Sequence, residues 1–137
     1  MYFRRLAYLG SVLVCMVVAP TTAFAASSLS ITGARIGPEG GSVIVAVQYS
    51  CDTTGYASIN VQVVQATGNR LARADGNVNN VSNPEVIVCD GTTHTAQVSA
   101  YNYGAIAFKK GKASATAQLY QDGYPTISAG PQEVSLK

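Results

Sequence analysis

The chain has 137 residues, is 47% hydrophobic and only 12% charged, and carries a formal charge of +2 with one histidine, three cysteines and no tryptophan. That length is enough for one domain of about 100 to 150 residues. The low charge excludes the basic stripe of a nucleic-acid binder: the single cluster, Lys109-Lys110-Gly111-Lys112, reads as a solvated turn.

Residues 1–25 read as a secretory signal peptide. Arg4 and Arg5 supply a cationic start, Leu6 to Val18 is an apolar run, and Ala23-Phe24-Ala25 places small residues at a cleavage site before Ala26. The apolar core is shorter than the roughly 20 residues a membrane-spanning helix needs, and Pro20 breaks it, so no stable membrane insertion is expected after processing. Cys15 follows Val14 in mid-run, unlike a lipoprotein cysteine, and leaves with the leader. Removing Arg4 and Arg5 takes the nine basic residues to seven, against seven acidic ones, so the secreted domain 26–137 is formally neutral. The expected localisation is extracellular.

From Ala26 onward the pattern has a period of two. Leu29 to Thr32 is the first short candidate strand, followed by the turn Gly37-Pro38-Glu39-Gly40-Gly41. In Ser42 to Cys51 the residues Val43, Val45, Val47, Tyr49 and Cys51 share one face and Ser42, Gln48 and Ser50 the other, which predicts a half-buried strand carrying its cysteine inward. After Asp52-Thr53-Thr54-Gly55 the alternation resumes, with Ala57, Ile59, Val61 and Val63 set against Ser58, Asn60 and Gln62. Arg70 to Ala74, Glu85 to Cys89 and Thr95 to Ala100 are further candidates, separated by turns at Asp75-Gly76-Asn77, Asn83-Pro84 and Asp90-Gly91. Beyond Lys110-Gly111, Ala113, Ala115, Ala117 and Leu119 oppose Ser114, Thr116 and Gln118; Asp122-Gly123-Tyr124-Pro125 turns the chain into Glu133 to Leu136.

Once the leader is gone, Cys51 and Cys89 are the remaining thiols, and an exported protein oxidises such a pair. Closing a loop of about 39 residues stabilises by roughly 4 kcal/mol in the chain-entropy model. An intermolecular bridge or a metal-thiolate pair is the alternative. About eight short strands, no helical period and one bridge predict an all-β fold: a single antiparallel immunoglobulin-like β-sandwich of about 7 to 8 strands. The tryptophan and the tyrosine two residues before the second cysteine that mark antibody domains are missing; Ile87 holds the latter place.

A leader, a Gly-rich turn and strand ending in Cys (Gly40 to Cys51), a valine-rich stretch closing on Val86-Ile87-Val88-Cys89-Asp90-Gly91-Thr92-Thr93-His94 and then an Ala-rich strand form a recognisable series. In these features the chain resembles a family of small secreted bacterial immunoglobulin-like β-sandwich domains of unknown function. The resemblance implies the fold and carries over no active site.

Catalytic constellations are sparse. His94 is the only imidazole, beside Asp90 and within reach of Thr92 and Thr93, but no G-x-S-x-G elbow accompanies it, so it reads as a surface histidine at a strand entrance. Asp75, Asn77 and Asn79 resemble the first half of a calcium loop, yet Asn80 stands where that loop needs Gly and Val86 where it needs Glu. The run is therefore expected to be a solvated loop, and neither a metal nor a cofactor is predicted. Tyrosines are the best functional lead: Tyr101 and Tyr103 flank Asn102 and would point the same way if extended, and with Tyr120 and Tyr124 they could form a shallow polar and aromatic platform. The expected function is a secreted, non-catalytic binding module for a cell-surface glycan, an envelope polymer or a protein. The alternative is an inhibitor of an extracellular enzyme such as a protease, presenting the Asp52 to Tyr56 or Asp90 to Thr93 loop.

Overall fold

A computed structural model describes residues 26–52 and 55–137; the leader and Cys15 lie outside the described residues. The chain forms β1 (Ser28–Ile36), a turn of 3-10 helix (Pro38–Gly40), β2 (Ser42–Ser50), β3 (Ala57–Thr67), β4 (Arg70–Asn79), β5 (Thr93–Asn102), β6 (Gly111–Gln121) and β7 (Tyr124–Leu136). All pairings are antiparallel, in one seven-stranded sheet of order β1-β2-β5-β4-β3-β6-β7. The sheet is nearly closed: Ile36 N donates to Lys137 O at 3.2 Å, and Gln132 Nε2 on β7 donates to Ile31 O on β1 at 3.3 Å. No helix among the described residues is long and apolar enough to cross a membrane.

The period-two faces become the inside and outside of this sheet. Val43, Val45, Val47 and Tyr49 of β2 are fully buried, as are Ala57, Ile59 and Val63 of β3 and Ala115 and Leu119 of β6. Each of the larger side chains contributes about 1.5 to 3 kcal/mol by leaving water. Asp122-Gly123 forms the two-residue hairpin turn between β6 and β7, with φ of 51° and 87°. Both positions are left-handed, as a turn matching strand twist requires.

Three sequence expectations are corrected. Glu85 to Cys89 is not a strand: Asn83 O accepts both Val86 N (3.0 Å) and Ile87 N (3.3 Å), so the chain coils after Pro84, which has no N–H for a ladder. Its apolar run covers the core instead, with Ile87 2% exposed. Asp75-Gly76-Asn77 is not a turn but the interior of β4. Gly76 is there for close approach, because a Cβ at this position would lie 2.3 Å from Ser99 O and 2.8 Å from Ala100 Cα of β5. Gly111 and Tyr124-Pro125, read as turn residues, open β6 and β7.

The Cys51–Cys89 disulfide is present and bridges the end of β2 to the irregular segment between β4 and β5. Beside it the Tyr49 hydroxyl donates to Val86 O (3.1 Å) and accepts from Val88 N (3.0 Å), and Gly91 N donates to Cys51 O (2.9 Å). Burial pushes the Tyr49 hydroxyl pKa above its ordinary value, against the opposing effect of the Val88 N–H. A second clamp is the buried Gln65, which donates to Lys109 O (2.7 Å) and accepts from Lys109 N (2.8 Å), fixing the chain ahead of β6 as a strand neighbour would.

Two substitutions test these contacts. Tyr49→Phe keeps the ring but removes the partner of the part-buried Val88 N–H and Val86 carbonyl, and is expected to lower unfolding free energy in urea by about 1 to 3 kcal/mol. Gly76→Ala is expected to cost at least about 1 to 3 kcal/mol by overpacking, despite the better strand entropy of Ala. An unchanged midpoint in either would contradict the packing described.

Candidate functional site

The outer face of β4, β3, β6 and β7 carries a concave feature, a groove of about 670 Å³. Register builds it. Pairing places Asp75, Gln62 and Thr116 in one row across β4, β3 and β6, and Asn77, Asn60, Gln118 and Ser128 in the next, which extends to β7. Opposite residues on neighbouring strands share a face, so each polar half of the alternation falls on this groove while Val61, Val63, Ala74 and Ala117 fall inward. Polar side chains here are cross-linked: Gln62 Nε2 donates to Asp75 Oδ1 at 3.1 Å, Asn77 Nδ2 donates to Asn60 Oδ1, and the Tyr120 hydroxyl donates to Gln118 Oε1 at 3.0 Å.

The five predicted platform residues do not form one surface. Tyr101 pairs with Asp75 and lies on the groove face, 67% exposed. Tyr120 is on the same face, opposite Ser58, four residues before Gln62 on β3 and three strands across from Tyr101. With strands about 4.8 Å apart and a rise of about 3.3 Å per residue, the two backbones are on the order of 20 Å apart, bracketing the groove diagonally. Asn102 pairs with the inward-facing Ala74 and is therefore on the other side; it donates to Ile106 O and accepts from Gly104 N (2.8 Å), shaping its own loop. Tyr103 follows the end of β5 at Asn102, so strand alternation does not align it with Tyr101. Tyr124 pairs with Gln121, whose neighbour Leu119 is core, and lies off the groove face.

Asp75, Asn77 and Asn79, expected in a solvated loop, are alternate residues of an extended strand, about 6.6 Å apart in a line rather than curled round a cation. Asn79 Oδ1 instead accepts from Val81 N and Ser82 N, capping the turn after β4. Among the described residues no three His, Cys, Asp or Glu side chains are grouped to hold a metal.

At the opposite end of β5, Asp90, Thr92 and His94 form a compact network. Asp90 Oδ1 accepts from Thr92 N (2.9 Å) and Thr92 Oγ1 (2.7 Å) and lies 2.8 Å from His94 Nε2. Thr92 Oγ1 is 3.1 Å from that same nitrogen. A relay needs its acid and its nucleophile on opposite ring nitrogens. Here one nitrogen meets both, and the imidazole sits over the buried Tyr49 ring with centroids 5.9 Å apart. The group secures the strand entrance.

No protein-family model matches the chain, and no curated protein matches it.

The hydrogen bond with His94, then those from the Thr92 hydroxyl and amide, pull the Asp90 carboxyl down to about 2. Its folded pKa is depressed, so whatever stability the network adds is present above the ordinary carboxylate range of about 4 and is lost as pH falls toward 2. Carboxyl-carbon NMR should find this midpoint near 2 and see it rise in His94→Ala; an ordinary midpoint in the unaltered protein would show the network to be absent in solution.

Proposed function

We propose that the chain is exported by its leader, residues 1–25, and acts outside the cell as a non-catalytic binding module for a cell-surface glycan, an envelope polymer or a protein. An immunoglobulin-like sandwich is supported by the pairing: β1-β2-β5 and β4-β3-β6-β7 are joined through just two residue pairs, Ala74 with Asn102 and Asp75 with Tyr101, a seam narrow enough for a sheet to fold over. The single observation that carries the reading is the open groove on the outer face of the four-stranded half, with exposed Tyr101 at its border. A rigid, stapled scaffold presenting such a face needs little ordering on association.

The inhibitor alternative draws on a different observation. Residues 90–93 are pinned by Cys89, by the Gly91 N to Cys51 O bond and by the Asp90 network, the tautness a pseudo-substrate loop would require.

The test is co-sedimentation of the protein, expressed with its own leader and purified after export, with bacterial envelopes, chitin, cellulose and peptidoglycan. A binding module should sediment with at least one of these in the oxidised form. Absence of retention on all of them, together with inhibition of an extracellular protease that reduction abolishes, would overturn this reading in favour of the inhibitor; absence of both activities would overturn both.

A further inference from the structure

We infer that the groove over β4, β3, β6 and β7 binds an uncharged, hydroxyl-rich ligand, a neutral oligosaccharide. This deepens the binding-module reading and rests on it. The lining chemistry points to that class. Asn60, Gln62, Asn77 and Gln118 are carboxamides, and each offers two donor hydrogens and an acceptor oxygen. A pair of neighbouring sugar hydroxyls, each able to donate and accept, is their natural complement.

Their hydrogen-bonding capacity is only partly used. Asn60 engages its oxygen with Asn77, Gln62 its nitrogen with Asp75 Oδ1, and Gln118 its oxygen with the Tyr120 hydroxyl. Among the described residues, no protein side chain or backbone group is bonded to Asn60 Nδ2, Gln62 Oε1, Gln118 Nε2 or Asp75 Oδ2. These two donor groups and two acceptors are left for water or a ligand, while the bonds already made hold the planar groups in place.

Charge narrows the ligand further. Asp75 is the only ionisable side chain lining the groove, and no Lys or Arg lines it. A phosphate, a nucleotide or an acidic sugar would meet the Asp75 carboxylate with no cation among the lining residues, the nearest on this face of β4 being Arg73, one pleat beyond. An apolar molecule would strip water from the amides without replacing their hydrogen bonds, at about 1 to 3 kcal/mol for each group left unpaired. A hydroxyl-rich neutral chain incurs neither cost.

Shape agrees with chemistry. Between the pairs Ala115 with Gln132 and Ala117 with Ala129, Gly130 and Pro131 of β7 oppose the single Thr116 of β6. This bulge bends β7, and Ser128, Ala129 and Gly130 at the bend line the groove. The volume of about 670 Å³ falls within the roughly 300 to 1,000 Å³ of small-ligand sites. Tyr101, the partner of Asp75, leaves an exposed ring at the border against which the apolar face of a sugar can lie.

The experiment is an amide NMR titration of the exported protein with chitotetraose, cellotetraose, xylotetraose and mannotetraose, and with tetragalacturonate as an anionic counterpart. At least one uncharged chain should shift Asn60, Gln62, Asn77 and Gln118. It should bind at least about tenfold more tightly than tetragalacturonate, and about tenfold more weakly to Asn60→Ala/Asn77→Ala. Gln118→Ala, a single change at an exposed side chain, should weaken it severalfold and guards against misfolding of the double variant. Shifts confined to other residues, affinities unchanged in both variants, preference for the anionic chain, or no shift up to about 10 mM would each overturn the inference. If the oligosaccharides fail while envelope sedimentation succeeds, the binding-module reading stands without this site; if sedimentation fails too, both fall.

Discussion

The fold depends on how the segment between β4 and β5 is fastened to β2. That segment has no ladder of its own, yet it must carry the chain from one half of the sheet to the other and cover the core as it goes. The buried Tyr49 hydroxyl accomplishes this by acting as both donor and acceptor, to Val86 O and from Val88 N, at a depth where unpaired backbone groups are costly. The Cys51–Cys89 bridge fixes the same segment one step along, across a sequence separation of 38. The disulfide acts mainly on the unfolded chain by restricting it, whereas the tyrosine acts on the folded chain by satisfying it. Side by side, they hold an irregular stretch against the core, with Ile87 buried beneath it.

From this fastening the outer face follows. With the connecting segment held against β2, β4 and β5 meet through two residue pairs, and the backbone of β5 presses into the space that Gly76 leaves empty. The strands β4, β3, β6 and β7 then present the outward face that carries the groove. On the inward side of these strands the small residues Ala72, Ala74, Ala113, Ala115 and Ala117 are buried beside the larger Ile59, Val61, Val63 and Leu119.

Much of this was legible before any coordinates. Alternation located the inner faces of β2, β3 and β6 because each strand has one wet side, and a one-residue slip would reverse every side chain. The turn at Asp122-Gly123-Tyr124-Pro125 was legible from its composition, although only Asp122 and Gly123 form it and Tyr124 and Pro125 already belong to β7. The misreadings have equally local causes. Gly76 between Asp75 and Asn77 has the composition of a turn, and only a neighbouring strand reveals that the missing side chain is for packing. Val86, Ile87 and Val88 have the composition of a strand, but Asn83-Pro84 starts a turn that continues through them. Candidate site residues were half legible: Asn60, Gln62, Thr116 and Gln118 already stood on polar faces, but their assembly into rows depends on the pairing of β3 with β6, which lie far apart in sequence. The tyrosine platform erred for a local reason: Asn102 and Tyr101 are adjacent in β5 and therefore point to opposite sides.

The polar face also differs in kind from an ordinary wet sheet surface. Solvated sheet faces in a protein of mixed charge usually hold long, flexible Lys and Glu side chains, whose ordering costs up to about 2 kcal/mol each. Here the groove positions across β3, β4 and β6 are occupied by Asn, Gln, Asp and Thr, most of them shorter, and several already bond to one another. Fixing such groups around a ligand loses less entropy than fixing lysines would, and their donors and acceptors are presented at the spacing of the strands rather than at the ends of free chains. A cross-linked amide surface on a backbone held by Tyr49 and the disulfide is therefore organised before anything binds, which favours recognition through hydrogen-bond geometry over recognition through charge.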